Sequence, residues 1–308
     1  MTEIASVSLA RPLEELSDEL GQSFAEYGFA IVRDHGVPAD LIAKGEQLSR
    51  DFFALPDDAK RAYHNPGQGG ARGYTPFGTE KAKDAEVKDL KEFWHVGRSL
   101  PDSHPLGEYM APNSWPAEVP GFRETFEALF VALEESGKRI LRAIALHLGL
   151  AEDYFDATVL DGNSILRLIH YPPVSKEAEG AIRAAAHEDI NTITLLLGAE
   201  EAGLELLSKD GEWIPVSPPP GALAVNIGDM LQRLSNNRLR STTHRVVNPV
   251  GDAARRARYS MPFFLHFRPD FVIETLAECV GEDGANHYPD PLSSHEYLQQ
   301  RLREIGLA

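Results

Sequence analysis

An intramolecular disulfide framework is excluded at once, because the 308-residue chain carries a single cysteine, Cys279. A lone thiol suits a reducing compartment, so the expectation is a cytoplasmic protein with an inert, partly buried Cys279. Long apolar runs are missing too. None approaches the ~20 residues needed to span a bilayer, and no charged start followed by an apolar stretch marks a signal peptide. Basic charge is in deficit: 30 Lys and Arg against 47 Asp and Glu give a net charge of -17. That balance argues against a nucleic-acid backbone or an anionic membrane as partner. An anionic small molecule would need a local basic pocket. Internal repeats and low-complexity segments are absent, and no stretch reads as a linker.

The segments that remain are helical first and β-rich later. Leu13, Leu16, Leu20 and Phe24 recur at helical spacing, and Gly28 stops that helix. Phe29 to Val32 reads as a short buried strand, and Pro38 opens a second helix that runs to about Phe53. His64 to Gly78, rich in Gly and Pro, reads as loop, with residues 66–78 as a candidate lid. Phe122, Phe126, Leu129, Leu133, Ile140 and Ile144 form the apolar stripe of a long helix after Pro120, and His147 continues it as a core or helix-end residue. Strands are expected at 164–171, 192–197, 204–207, 212–215, 222–227, 243–247 and 258–267, separated by Pro, Gly and Asn turn signals. Ser293 to Leu307 returns to helix. This pattern predicts a mainly β protein with flanking helices, a sandwich or barrel such as a jelly roll. The expectation is one domain over 1–308: a mixed helical region (1–160), a β core (161–275) and a C-terminal helical segment (276–308).

His187-Glu188-Asp189 is answered by His244 some fifty-five residues later. In a strand, residues i and i+2 point the same way, so His187 and Asp189 can share a metal while Glu188 points away. Two imidazoles and one carboxylate suit Fe(II) and leave about three positions open for a cosubstrate and O2. H-x-D alone occurs often by chance. Its company is what matters: Arg258 and Ser260 share one face of the apolar run RYSMPFFLHF. An inward Arg is costly unless paired, and its planar fork, with a nearby hydroxyl, suits an incoming carboxylate.

The chain resembles the isopenicillin N synthase-like branch of the non-haem Fe(II), 2-oxoglutarate-dependent dioxygenases over nearly its whole length. The similar stretches are YGFAIVRDHGVP (27–38), RGYTPFGTEKAKDAEVKDLKEFW (72–94), LRLIHYPP (166–173), HEDINTITLL (187–196), NIGDMLQRLSNNRLRSTTHRVVNP (226–249) and RYSMPFFLHF (258–267). The resemblance implies a double-stranded β-helix, that is, a jelly-roll core, with an N-terminal helical region. It implies Fe(II) on His187, Asp189 and His244, and the far carboxylate of 2-oxoglutarate on Arg258 and Ser260, with Tyr171 assisting. Many plant members carry Asn two residues before that Tyr, where this chain has Ile169. Arg167 shares a strand face with Tyr171, so if Tyr171 faces the interior Arg167 does too, either in a structural ion pair or toward an acidic substrate group or the chelating end of the cosubstrate. Phe93 and His95 match a strand that approaches the site in the family and are candidate pocket residues. His35 and His170 are expected to be structural or outward. Asp229 and Gln232 are expected to shape a turn, and Asn236 and Asn237 to accept left-handed geometry.

The activity implied is an Fe(II)- and 2-oxoglutarate-dependent oxygenase that uses O2 on an unactivated C–H bond of a small-molecule substrate, a carboxylate-bearing one included. Hydroxylation is the default outcome, with succinate and CO2 released. One rival is an isopenicillin N synthase-like or aminocyclopropane carboxylate oxidase-like enzyme that does without 2-oxoglutarate. A rival of another class is a catalytically silent jelly-roll protein that only binds metal or a small acid. Substrate identity and oligomeric state stay open at this level.

Overall fold

Leu16, Leu20 and Phe24 bury the inner stripe of the first helix, α1 (Leu13–Tyr27). Gly28 ends it in left-handed geometry (φ 69°), with its N–H bonded to Phe24 O at 3.0 Å. A Cβ there would lie 2.3 Å from Thr242 Oγ1 and 2.4 Å from Arg240 O. Glycine therefore both closes the helix and admits the segment that leads to His244. The structure is a computed structural model that describes residues 4–66, 71–79, 89–173, 182–198, 203–282 and 284–304.

Two sheets form the core. The larger runs β1 (Ser6–Ser8), β2 (Phe29–Arg33), β10 (Leu223–Ile227), β7 (Ile193–Leu197), β12 (Arg258–Leu265), β5 (Ile165–Tyr171), β4 (Glu92–Gly97) and β3 (Gly73–Thr75). All its pairs are antiparallel except β1 with β2. The smaller runs β6 (Ala184–His187), β11 (His244–Val246), β8 (Leu204–Leu207) and β9 (Trp213–Pro215). This is the jelly roll expected from sequence. Residues alternate across the large sheet. Leu166, Leu168, Leu195, Phe263 and Leu265 pack in one core with α1, α2 (Ala39–Phe53) and α4 (Phe122–His147). The alternate residues line the space between the sheets. There Phe29, Ala184, Leu204, Leu206, Ala224 and Val246 form a second apolar cluster. Three short helices, α3 (Asp57–Arg61), α5 (Asp156–Val159) and α6 (Asp229–Leu234), fill corners. A small ribbon, β13 (Val272–Ile273) with β14 (Leu292–Ser293), leads into α7 (Ser294–Glu304).

The expected strands are all present, with ends shifted by a residue or two, and among the described residues β1, β3 and the short ribbon β13–β14 were not foreseen. β1 is three residues long and lies parallel to β2. β3 sits inside the stretch read as loop, where Gly73, Tyr74 and Thr75 pair with His95, Trp94 and Phe93. Of the candidate lid, residues 67–70 lie outside the described residues, as do the last residues of the expected C-terminal helix. Asn236 and Asn237 do take positive φ, 51° and 66°. His147 ends α4, and its ring packs onto Gly21 of α1. His35 is buried and structural, its Nε2 at 2.9 Å from Gly221 O.

The helix-facing side of the large sheet holds a buried charge cluster around Glu92. Lys60 Nζ lies 2.9 Å from its carboxylate and His170 Nδ1 2.7 Å, and the Tyr74 hydroxyl donates to it. Burial pushes the Glu92 carboxyl up, but the bonds from His170, Tyr74 and Lys60 outweigh burial and hold it below its ordinary 4.5. A lowered carboxyl contributes stability above its ordinary value that is lost as pH falls through the lowered one. Glu92→Gln strips Lys60 of its buried counter-charge and is expected to cost about 3 kcal/mol of unfolding free energy at neutral pH. The variant should also lose less stability than the parent below pH 4.5. Urea unfolding across a pH series reads both effects.

Candidate metal and cosubstrate site

His187 closes β6 and pairs across the ladder with His244, the first residue of β11. Their rings sit 4.4 Å apart, and Phe29 meets the His244 ring edge-on at 5.4 Å. Asp189 departs from expectation: it lies past the end of β6 rather than on it. Strand parity therefore does not aim its carboxylate; bonds from other elements do. Asp189 O accepts from Asp229 N at 2.7 Å, and its Oδ2 accepts from Thr194 Oγ1 at 2.6 Å and Asn226 Nδ2 at 2.7 Å. Gly228, between Asn226 and α6, makes the turn possible, since a Cβ there would lie 2.1 Å from Asn191 O. Glu188 faces outward as expected, accepting from Thr243 Oγ1 at 2.9 Å.

The ligand-type atoms of His187, Asp189 and His244 all lie within 4.8 Å of one another, and no other such group occurs among the described residues. His187 Nε2 is 3.9 Å from Asp189 Oδ1, and His244 Nε2 is 3.9 Å from Oδ2. Backbone carbonyls set both tautomers: His187 Nδ1 donates to Ala185 O at 2.7 Å and His244 Nδ1 to Thr242 O at 3.0 Å. Both Nε2 lone pairs are thereby turned to the common point. Burial, and then the neighbouring His244, push the His187 imidazole down to about 4, so at neutral pH it carries no proton on Nε2. Burial pushes Asp189 up, but the two imidazoles and the Asn226 and Thr194 donors outweigh it and leave the carboxyl below 3.8. Two imidazoles aimed through Nε2 and one carboxylate fit a divalent ion such as Fe(II).

One cavity joins this trio to Arg258, Ser260 and Tyr171. Arg258 pairs across the ladder with Tyr171 and Ser260 with Ile169. Arg258 is 1% exposed, and among the described residues its Nε and Nη1 have no hydrogen-bond partner. A buried guanidinium with two unmet donors fits the planar carboxylate of a bound acid. Arg167 lines the same cavity. Its Nε donates to His95 Nε2 at 2.6 Å, and its guanidinium lies 4.2 Å from the Phe93 ring centre and 5.3 Å from that of Phe264. Phe93 and His95 thus reach the cavity through Arg167. His170 lies on the other face, against Tyr259. Gln232 accepts from Ser241 N at 2.8 Å, in keeping with a turn-shaping role.

Sequence reasoning missed Lys91, Thr194, Asn226, Pro262 and Phe264, all of which line the cavity. Parity carried two steps further would have found three of them: Lys91 from Phe93 and His95, and Pro262 and Phe264 from Ser260. Thr194 and Asn226 had no such signal.

Residues 4–118 match the family model of the non-haem dioxygenase in morphine synthesis N-terminal region, and residues 162–267 match that of the 2OG-Fe(II) oxygenase superfamily. The 2-oxoglutarate-Fe(II) type oxidoreductase hxnY of Emericella nidulans is 34% identical over 300 residues, spanning 94% of this chain and 84% of that protein. The chain belongs to the 2OG-Fe(II) oxygenase superfamily. Among solved structures, a 2OG-Fe(II) oxygenase family protein of Caulobacter crescentus is 51% identical, with a TM-score of 0.92 over 99% of this chain and 100% of that one. A full-length Neurospora crassa protein, solved in complex with alpha-KG and thymine, is 30% identical, with a TM-score of 0.85 over 97% and 96% of the two chains. The oxygenase is accordingly an Fe(II)- and 2-oxoglutarate-dependent dioxygenase, with O2 as its oxidant. These relatives favour that reading over a synthase-like oxidase or a silent binding protein. No helix among the described residues is long and apolar enough to cross a membrane.

Asp189→Ala is expected to abolish Fe(II) binding. Asn226→Ala, which removes one donor to that carboxylate, is expected to weaken it by about 10- to 100-fold. Anaerobic metal titration measures both.

Proposed function

We propose that the oxygenase hydroxylates an unactivated C–H bond of a small molecule, with Fe(II) held by His187, Asp189 and His244. In this reading Arg258 and Ser260 receive the far carboxylate of 2-oxoglutarate, and Tyr171 walls that end of the cavity. The observation that carries it is the buried Arg258 fork, with Nε and Nη1 unmet, opening on the same cavity as the three ligand atoms. Iron and cosubstrate, when bound, supply the activation of O2: one oxygen atom goes to the substrate C–H and the other to succinate, with CO2 released. The protein's own part is to bind, orient and exclude water. The Ala185 and Thr242 carbonyls hold both imidazoles with Nε2 aimed at the common point. Thr194 and Asn226 hold Asp189 from one side, which leaves its Oδ1 for the metal. Arg258 supplies a fixed positive charge that orients the cosubstrate without having to reorganise.

Arg167, steadied by Phe93, Phe264 and His95, is the group we assign to the substrate, and a guanidinium there favours a substrate that bears a carboxylate. Residues 1–308 act as one domain in this reading, since β1 to β4 complete the sheet that carries β5, β7, β10 and β12. A cytoplasmic location also belongs to it, and would keep the buried Cys279 reduced.

Anaerobic addition of Fe(II) and 2-oxoglutarate is expected to give a weak visible charge-transfer band, and air should then give succinate even without substrate. No band and no succinate would defeat the cosubstrate assignment. Arg258→Ala should weaken 2-oxoglutarate by about 2–5 kcal/mol, roughly 30-fold or more. Unchanged affinity would move Arg258 to the substrate. Screening small acids and amino-acid derivatives for stimulated succinate release finds the substrate, and Arg167→Leu should then raise its KM while leaving that of 2-oxoglutarate in place.

A further inference from the structure

The ligand His187 sits on an edge. Among the described residues of the smaller sheet, β6 pairs with β11 on one side only, and that ladder is irregular between His244 and Val246. An edge strand with one imperfect neighbour is a poor mount for a side chain that must be held to within about half an ångström. The open side of β6 is closed by the residues that lead into β4. Leu90 N donates to Ile182 O at 3.2 Å, and Asp89 Oδ1 accepts from Ala185 N at 3.0 Å. Ala185 is the residue whose carbonyl takes the His187 Nδ1 proton. The other oxygen of Asp89 pairs with Lys91 Nζ at 2.9 Å. Both side chains are buried, at 4% and 6% exposure, and Lys91 lines the same cavity as His187.

We infer that Asp89, held by Lys91, is a positioning residue for His187: it pins Ala185 and thereby fixes the imidazole that faces the metal. The inference rests on the reading of His187 as an iron ligand. A buried ion pair is poor support for stability, because desolvation offsets most of its attraction. Holding a geometry is the better-founded use for one beside a metal site. The contrast with the other two ligands supports this. His244 lies on β11, flanked by β6 and β8, and Asp189 has Thr194 and Asn226. Among the described residues, neither takes a clip from this segment.

Co(II) in place of Fe(II) gives a test that does not depend on turnover, because the two ligand imidazole N–H protons appear as separate paramagnetically shifted NMR signals. Asp89→Ala is expected to lower Co(II) affinity by about 10- to 100-fold and to speed solvent exchange of one N–H signal, that of His187, leaving the His244 signal as in the parent. The double variant Asp89→Asn, Lys91→Met removes both charges but keeps an oxygen for Ala185, so it loses the hold of Lys91 without losing the contact, and its affinity should fall by less than that of Asp89→Ala. A folded Asp89→Ala protein with parental affinity and both signals unchanged would overturn the inference. So would a loss in the double variant as large as the about 10- to 100-fold expected of Asp89→Ala, and this arm decides the matter if the Ala variant does not fold. His187→Ala separates the two levels: if it binds Co(II) as the parent does, the ligand reading fails, whatever Asp89 does.

Discussion

In β12 the backbone leaves little freedom. Once Phe263 and Leu265 are buried against the helices, Ser260, Pro262 and Phe264 must face the other sheet, and Arg258 with them. The same alternation in β5 turns Leu166 and Leu168 outward and Arg167, Ile169 and Tyr171 inward. In β7 it turns Leu195 outward and Thr194 inward, and in β10 Val225 outward and Asn226 inward. A slip of one residue in any of these strands would exchange core for site. The helical layer, which has no part in the chemistry, therefore fixes the register of every inward group.

The interior so formed is unusual in its charge. Its described lining holds one carboxylate, Asp189, against the cations Lys91, Arg167 and Arg258, in a chain of net charge -17. Lys91 is balanced from behind by Asp89. Among the described residues Arg258 has no such balance for its Nε and Nη1. A polypeptide meets the cost of a buried, half-satisfied guanidinium only when something else completes it. In the proposed reading, a dicarboxylate with one end at the metal and the other at Arg258 would do so. On that proposal the cavity and its cosubstrate form one electrostatic unit.

Much of this was legible in the sequence, for reasons that differ from residue to residue. His187, His244, Arg258 and Ser260 were readable because their strands alternate strongly and one charged or metal-binding type stands out against apolar neighbours. Asp189 was named for a reason that does not hold. It lies beyond the strand, and contacts from Thr194, Asn226 and Asp229 aim it, residues up to forty positions away. β1 and β3 are three residues each, too short for a period to show, and exist because a neighbouring strand offers open hydrogen bonds. Lys91 read as one charge among many in EVKDLKEFW, and only the pairing of β4 with β5 turns it into the cavity.

Anomalous scattering at the iron edge, from an anaerobic crystal grown with Fe(II) and 2-oxoglutarate, tests this assignment most directly. One strong peak is expected, bonded to His187 Nε2, His244 Nε2 and the Asp189 carboxylate, with the far carboxylate of the cosubstrate on Arg258 and Ser260. A peak elsewhere, or a cosubstrate whose far end lies away from Arg258, would contradict it.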